Sequence, residues 1–169
     1  MPPFYDIYGL SHKRDKQTIE KFLDFYCFRE KVEHREGQEI RIYKNERYGL
    51  YDIDIPVKTL SEVIEYGVNN SNHGFAFYIS DNLKENVKDL VLKFTYDGKI
   101  IFGVSIEENL LTKDGKLVDN YNKAQIIEMS IAALTNSIKT SIQLEYPPSD
   151  DEEEFDNDIK LWSNEKYNE

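Results

Sequence analysis

The stretch Leu90–Ile106, LVLKFTYDGKIIFGVSI, constrains the fold more than any other part of the chain. Two apolar runs meet at Asp97-Gly98. Asp-Gly between such runs is a strong hairpin signal, because a two-residue type I′ turn needs positive φ at both central positions. That turn pairs Tyr96 with Lys99, Phe94 with Ile101 and Leu92 with Gly103. One face then carries Leu90, Leu92, Phe94 and Ile101, and the other Val91, Ile100, Phe102, Val104 and Ile106. Apolar residues on both faces place the hairpin centrally in a sheet covered on both sides. Gly103 marks either a bulge or the close approach of another element.

The flanking segments supply partners for this hairpin. Phe4–Tyr8 reads as a short strand ended by Gly9, and Ser11–Lys16 as a polar connection. Asp15 is a candidate N-cap, after which Ile19, Phe22, Leu23 and Tyr26 fall on one helical face. Phe25, Cys27 and Phe28 widen that face, and the helix fades into the charged run Arg29–Glu36 before Gly37. Glu39–Lys44 alternates as a strand, and Tyr48–Ile55 reads as a second strand ended by Pro56. Thr59 with Glu62 forms a capping box ahead of the stripe Leu60, Val63, Ile64, Gly67 and Val68. Phe75–Ser80 is a strand. A last long helix spans about Lys123–Ile142, with Ile127, Ile131, Leu134 and Ile138 inward. The expected fold is α+β: a mostly antiparallel sheet with a central hairpin at about 90–106, and three helices at about 15–30, 59–70 and 123–142 packed mainly on one face.

The chain's 169 residues suit one α+β domain over 1–148, followed by an acidic C-terminal tail over 149–169. Nine acidic and two basic residues lie between Pro147 and Glu169, so that segment carries −7 of the total −11. A block of like charge self-repels and is usually solvated, so this one reads as disordered. The alternative is that it docks in part through Phe155, Ile159, Leu161 and Trp162. The negative balance argues against a nucleic-acid ligand, which needs clustered Lys and Arg, and against an anionic membrane surface. It favours a cationic partner. With one cysteine, Cys27, no internal disulfide forms, which fits a reducing cytoplasm. The opening MPPFYDIYGL shows no signal-peptide pattern, and no apolar run is long enough to span a bilayer.

Little in the sequence points to catalysis. His12, His34 and His73 lack the spacing of a helical zinc site, and there is no CxxC, P-loop, GxGxxG or G-x-S-x-G. Cys27 sits among aromatic residues and reads as a buried structural thiol. The acidic run Asp150–Asp158 lacks the glycine a calcium loop needs at its turn. No metal and no cofactor is expected. Asp52 and Asp54 share a face of a strand. A carboxylate pair suits acid–base work, but with no His, Lys or nucleophile beside it the plainer reading is a charged strand edge that discourages aggregation.

A YDIYG opening (Tyr5–Gly9), an FAFYI strand (Phe75–Ile79), a DGKIIFGVS hairpin (Asp97–Ser105) and an Ala-containing helix leading to YPP and an acidic EF segment (Tyr146–Phe155) together resemble bacterial immunity proteins. These are the cytoplasmic antidotes encoded beside polymorphic or contact-dependent toxins. The resemblance lies in overall character, so no site residue carries over with it. It implies a protein-binding inhibitor that covers the active site or substrate groove of a cognate toxin. Many such toxins are basic nucleases, and an acidic, Tyr-bearing surface complements their charge. Candidate contact residues are Tyr48, Tyr51, Asp52 and Asp54, or the tail residues Glu152, Glu153, Glu154 and Phe155. The other readings are a small enzyme whose site is hidden in the sequence, and a subunit that pairs with itself through a sheet edge. Whether the chain is a monomer or a homodimer stays open.

Overall fold

The computed structural model describes residues 3–44 and 53–167. Among these residues, seven strands form one sheet in the order β3-β2-β4-β5-β6-β1-β9. Its members are β1 (Phe4–Ser11), β2 (His34–Lys44), β3 (Ile53–Thr59), β4 (His73–Ile79), β5 (Asp89–Phe94), β6 (Ile100–Glu107) and β9 (Lys139–Leu144), all paired antiparallel. A small separate hairpin joins β7 (Asn109–Leu111) to β8 (Leu117–Asp119) around Gly115. The helices are α1 (Lys16–Tyr26), α2 (Leu60–Asn69), α3 (Tyr121–Thr135) and α4 (Glu152–Tyr167). The architecture is α+β with the hairpin near the middle of the sheet, and it carries one helix more than the sequence patterns indicate.

The hairpin register differs from the type I′ expectation by one residue. Phe94 lies opposite Ile100, Leu92 opposite Phe102 and Val91 opposite Gly103. The connection is a three-residue loop, closed where Thr95 N–H donates to Lys99 O at 3.0 Å, with Gly98 at φ +87°. A type I turn followed by a left-handed glycine fits the same Asp-Gly pair. A shift of one residue moves every side chain of a strand to the other face. Leu90, Leu92 and Phe94 therefore share a face with Ile100, Phe102, Val104 and Ile106, and all seven are buried in one large core.

That core lies between the sheet and α1, α2 and α3. The side chain of Asp15 caps α1 by accepting from Thr18 N–H at 2.8 Å. Ile19, Phe22, Leu23 and Tyr26 face inward as their spacing requires, while Phe25 and Phe28 stay nearly half exposed. At the start of α2, Thr59 Oγ1 accepts from Glu62 N–H, and Glu62 reaches back to Lys58 N–H. Gly67 lets α2 press on the sheet, since a Cβ there would stand 2.3 Å from the Phe94 ring. Several boundaries fall elsewhere than expected: β1 runs through Gly9 to Ser11, α1 ends at Tyr26 and β2 begins at His34 within the charged run. α3 ends at Thr135 with Asn136 in the left-handed region, and Lys139–Leu144 forms the edge strand β9 instead of two more helical turns. Pro56 does not end a strand but sits within β3, where an edge position leaves its missing N–H harmless.

The opposite face of the sheet carries a second, smaller cluster: Tyr8, Leu10, Val91, Ile101 and Phe155. The acidic segment, expected to be solvated or else to dock in part, forms α4 and covers part of this face. Phe155 is fully buried. Polar contacts hold the helix around that anchor. Lys93 Nζ pairs with Asp150 at 2.8 Å, Lys139 with Asp156 at 2.6 Å and Glu152 at 3.0 Å, and Lys99 with Glu152 at 3.0 Å. Asp151 caps the helix by accepting from Glu154 N–H, and Tyr96 donates to the same carboxylate. Part of the negative charge of the segment is thus paired with Lys93 and Lys139 of the sheet and Lys99 of the hairpin loop.

Candidate functional site

Beside α4 the described residues leave the second face of the sheet uncovered, and there it is acidic. Asp6 of β1, Ser105 of β6 and Asp89 of β5 stand opposite one another across three adjacent strands. They line a recess of about 210 Å³, together with Tyr8, Tyr78, Val91, Glu145 and Tyr146. Gly103 shapes its floor: a Cβ there would lie 2.3 Å from Val91 Cγ1 and 2.8 Å from the Tyr8 ring, so the two side chains close over it. No bulge interrupts the pairing at this position.

Backbone geometry fixes the carboxylates. Glu145 directly follows β9 with φ 47°, in the left-handed region that non-glycine residues rarely enter. The chain turns there so that Tyr146 N–H donates to Asp6 Oδ2 at 2.9 Å, while Tyr146 O accepts from the Tyr8 hydroxyl. Asp6 also accepts from Ser105 Oγ, and Asp89 accepts from Ser80 Oγ. Burial pushes the Asp6 carboxyl above the usual carboxylate range. The hydrogen bonds from Ser105 and Tyr146 oppose that rise, and the nearby charges of Asp89 and Glu145 add to it. Two carboxylates, a short hydroxyl and an exposed Tyr78 ring have the chemistry to hold a cation. An ammonium or guanidinium would relieve the Asp6–Asp89 repulsion and lie against an aromatic face.

The sequence-derived contact residues are not brought together here. Tyr48, Tyr51 and Asp52 lie outside the described residues. Asp54 is on β3, at the far edge of the sheet, accepting from Arg41 Nε at 3.1 Å. Glu152 is engaged by Lys99 and Lys139, which hold its carboxyl below the usual range. Glu153 is exposed, and Glu154 lies in the first turn of α4. Phe155, expected as a contact for a partner, faces the sheet and is an anchor of the fold while α4 is docked. The residues that line the recess were missed because Asp6 and Asp89 are 83 positions apart. Only the pairing of β1 with β6 and of β5 with β6 makes them neighbours. The alternation of FYDIY does put Asp6 and Tyr8 on one face, and that was the one available signal.

Cys27 and His73 lie away from this recess. Cys27 is buried, and burial pushes its thiol up to about 11, so it is neutral near pH 7. His73 Nδ1 shares a hydrogen bond with Tyr66 OH at 2.7 Å. Among the described residues no group of three or more His, Cys, Asp or Glu is placed to hold a metal ion, and no helix is long and apolar enough to cross a membrane. Comparison with protein-family models, with curated proteins and with solved structures finds no match for this chain.

Proposed function

We propose that this chain is a protein-binding inhibitor: an immunity protein of the bacterial cytoplasm that neutralises a cognate, cationic toxin by covering its active site or substrate groove. The observation that carries this reading is the Asp6–Ser105–Asp89 row with Tyr78 at its rim, a cation receptor in a chain of net charge −11. At about 210 Å³ the recess is below the roughly 300 Å³ at which small-molecule sites usually begin. It suits one basic side chain of a larger partner. Arg, with Trp and Tyr, is enriched among the residues that carry most of the energy of a protein interface.

The test starts with capture. The tagged chain is used to pull partners from lysate of the native host at low salt, followed by elution with rising salt. One basic protein should elute as salt rises, and equimolar addition of this chain should block its activity. The double variant Asp6→Asn/Asp89→Asn should lose that inhibition. Inhibition that survives both substitutions would remove the recess from the interface. A captured protein whose activity is unaffected would end the inhibitor reading.

A further inference from the structure

The two edges of the sheet are built differently. β3 carries Pro56 and the exposed charges of Asp54 and Lys58, features that keep an edge from recruiting another strand. β9 carries neither proline nor charge from Thr140 to Leu144. Glu145 N–H donates to Phe4 O at 3.0 Å. The alternation of an antiparallel pair then commits Gln143 and Ser141 to β1 and turns the N–H and C=O of Thr140, Ile142 and Leu144 outward.

This edge lies in a trough of about 170 Å³. Thr140, Ser141 and Ile142 form its floor, Tyr121 and Glu128 of α3 one wall, and Ile159 and Trp162 of α4 the other. The Trp162 indole Nε1 is buried with no hydrogen-bond partner among the described residues, as is Oε1 of Gln143 on β9. A row of outward backbone groups between two side-chain walls is what a sheet edge offers to an added strand.

We infer that the β9 edge binds an extended, cationic segment of another protein, which adds to the sheet as an eighth strand between α3 and α4. Charge selects the occupant. Glu128 lines the trough and Glu145 follows the strand; α4 carries six carboxylates against two lysines, and Lys139 at the start of β9 is already engaged by Glu152 and Asp156 of that helix. A second copy joined β9 to β9 would place two such helices side by side, and like charges across an interface oppose association. A strand with apolar residues facing the walls and Lys or Arg at its ends meets no such opposition. The inference rests on the reading that this chain binds another protein, but it concerns a separate surface from the acidic recess.

Amide exchange in the full chain, followed by NMR, tests it. In the free protein the amides of Thr140, Ile142 and Leu144 should exchange at least about tenfold faster than those of Ser141 and Gln143. The probes are short synthetic peptides alternating Val, Ile, Phe or Tyr with Lys or Arg. They should slow the three outward amides at least about tenfold, whereas the same peptides N-methylated at alternate amides should not. Thr140→Pro removes one outward N–H, which an edge strand tolerates, and should abolish the protection. Three results would overturn the inference: outward amides already slow in the free protein, no protection from any peptide of the panel, or equal protection from the N-methylated set. A concentration-dependent dimer that Thr140→Pro breaks would give the edge to a second copy and overturn the choice of a cationic partner. Asp89→Asn should leave peptide protection unchanged, so failure at the edge and failure at the recess are read separately.

Discussion

Burial raises the Asp6 carboxyl, while the two hydrogen bonds that it accepts favour its charged form. Burial wins, so the folded protein holds this proton over a pH range in which the unfolded chain has already released it. The stabilisation from Asp6 is therefore fully present below the ordinary value of 3.8 and is lost as pH rises through the higher folded value. Near neutral pH a charged Asp6 beside Asp89 is tolerated by the fold, not favoured by it. Asparagine keeps both contacts, with Oδ1 accepting from Tyr146 and Nδ2 donating to the Ser105 hydroxyl. Asp6→Asn is thus expected to be at least as stable as the wild type near neutral pH, and its advantage should shrink as pH falls. Urea denaturation from about pH 3 to about pH 8 measures this. A variant that is less stable than the wild type near pH 7 and gains on it as pH falls would show that the hydrogen bonds outweigh burial. Groups that lower stability where they sit are common at recognition sites. Arg14 shows the opposite case: its guanidinium donates to the carbonyls of Gly67, Asn70, His73, Thr95 and Lys99 and stacks on Phe94. It ties α2, β4 and the hairpin loop together from a segment that the sequence presents only as a polar connection.

Elements with strong local signals were legible in the sequence, while those decided by long-range pairing were not. Asp15 and Thr59 marked true helix starts, and the stripe Ile19, Phe22, Leu23 and Tyr26 marked a true buried face. The hairpin was legible as an element, but its register was not, because Asp-Gly serves both two-residue and three-residue loops. Ile138 fitted a helical stripe only because Ile127, Ile131 and Leu134 preceded it. Asn136 breaks the helix, and the β-branched Thr140 and Ile142 suit a strand. The acidic segment was the hardest case, since its composition is that of a solvated tail and its lysine partners come from β5, the hairpin loop and β9. α4 packs on the small second cluster and not on the main core. It should therefore detach as a unit while the remainder stays folded. Phe155→Ala should weaken its docking by about 3 kcal/mol, seen as a red shift of Trp162, the sole tryptophan, with little change in the exchange of core amides. Acid should act the same way. Lys99 and Lys139 hold Glu152 below its ordinary value of 4.5, so its contribution is present above that value and is lost as pH falls through the lower folded one. Glu152→Gln should flatten this acid response of Trp162 fluorescence. A single transition for Trp162 and the core amides alike would show that α4 is part of one cooperative unit.

At the scale of the whole molecule, the net charge of −11 and the local sites do different work. Much of the acidic C-terminal segment is paired internally, through Asp150 with Lys93, Glu152 with Lys99 and Lys139, and Asp156 with Lys139. Those carboxylates add to the long-range field but are poorly placed to grip a partner. The row of Asp6 and Asp89 is placed to do so, because its carboxylates line an open recess without a neighbouring lysine pair among these contacts. Long-range charge governs encounter and is screened by salt, with a Debye length of about 10 Å at 0.1 M. Desolvated contacts govern residence. Binding kinetics against the captured partner should separate the two. Raising salt from about 50 mM to about 500 mM should lower kon by at least about tenfold and change koff little. Asp6→Asn/Asp89→Asn should do the reverse, raising koff at least about tenfold while kon falls only slightly, since the chain still carries most of its charge. If the double variant altered only kon, the recess would be one more part of the field, and the anchor of the interface would lie elsewhere on the molecule.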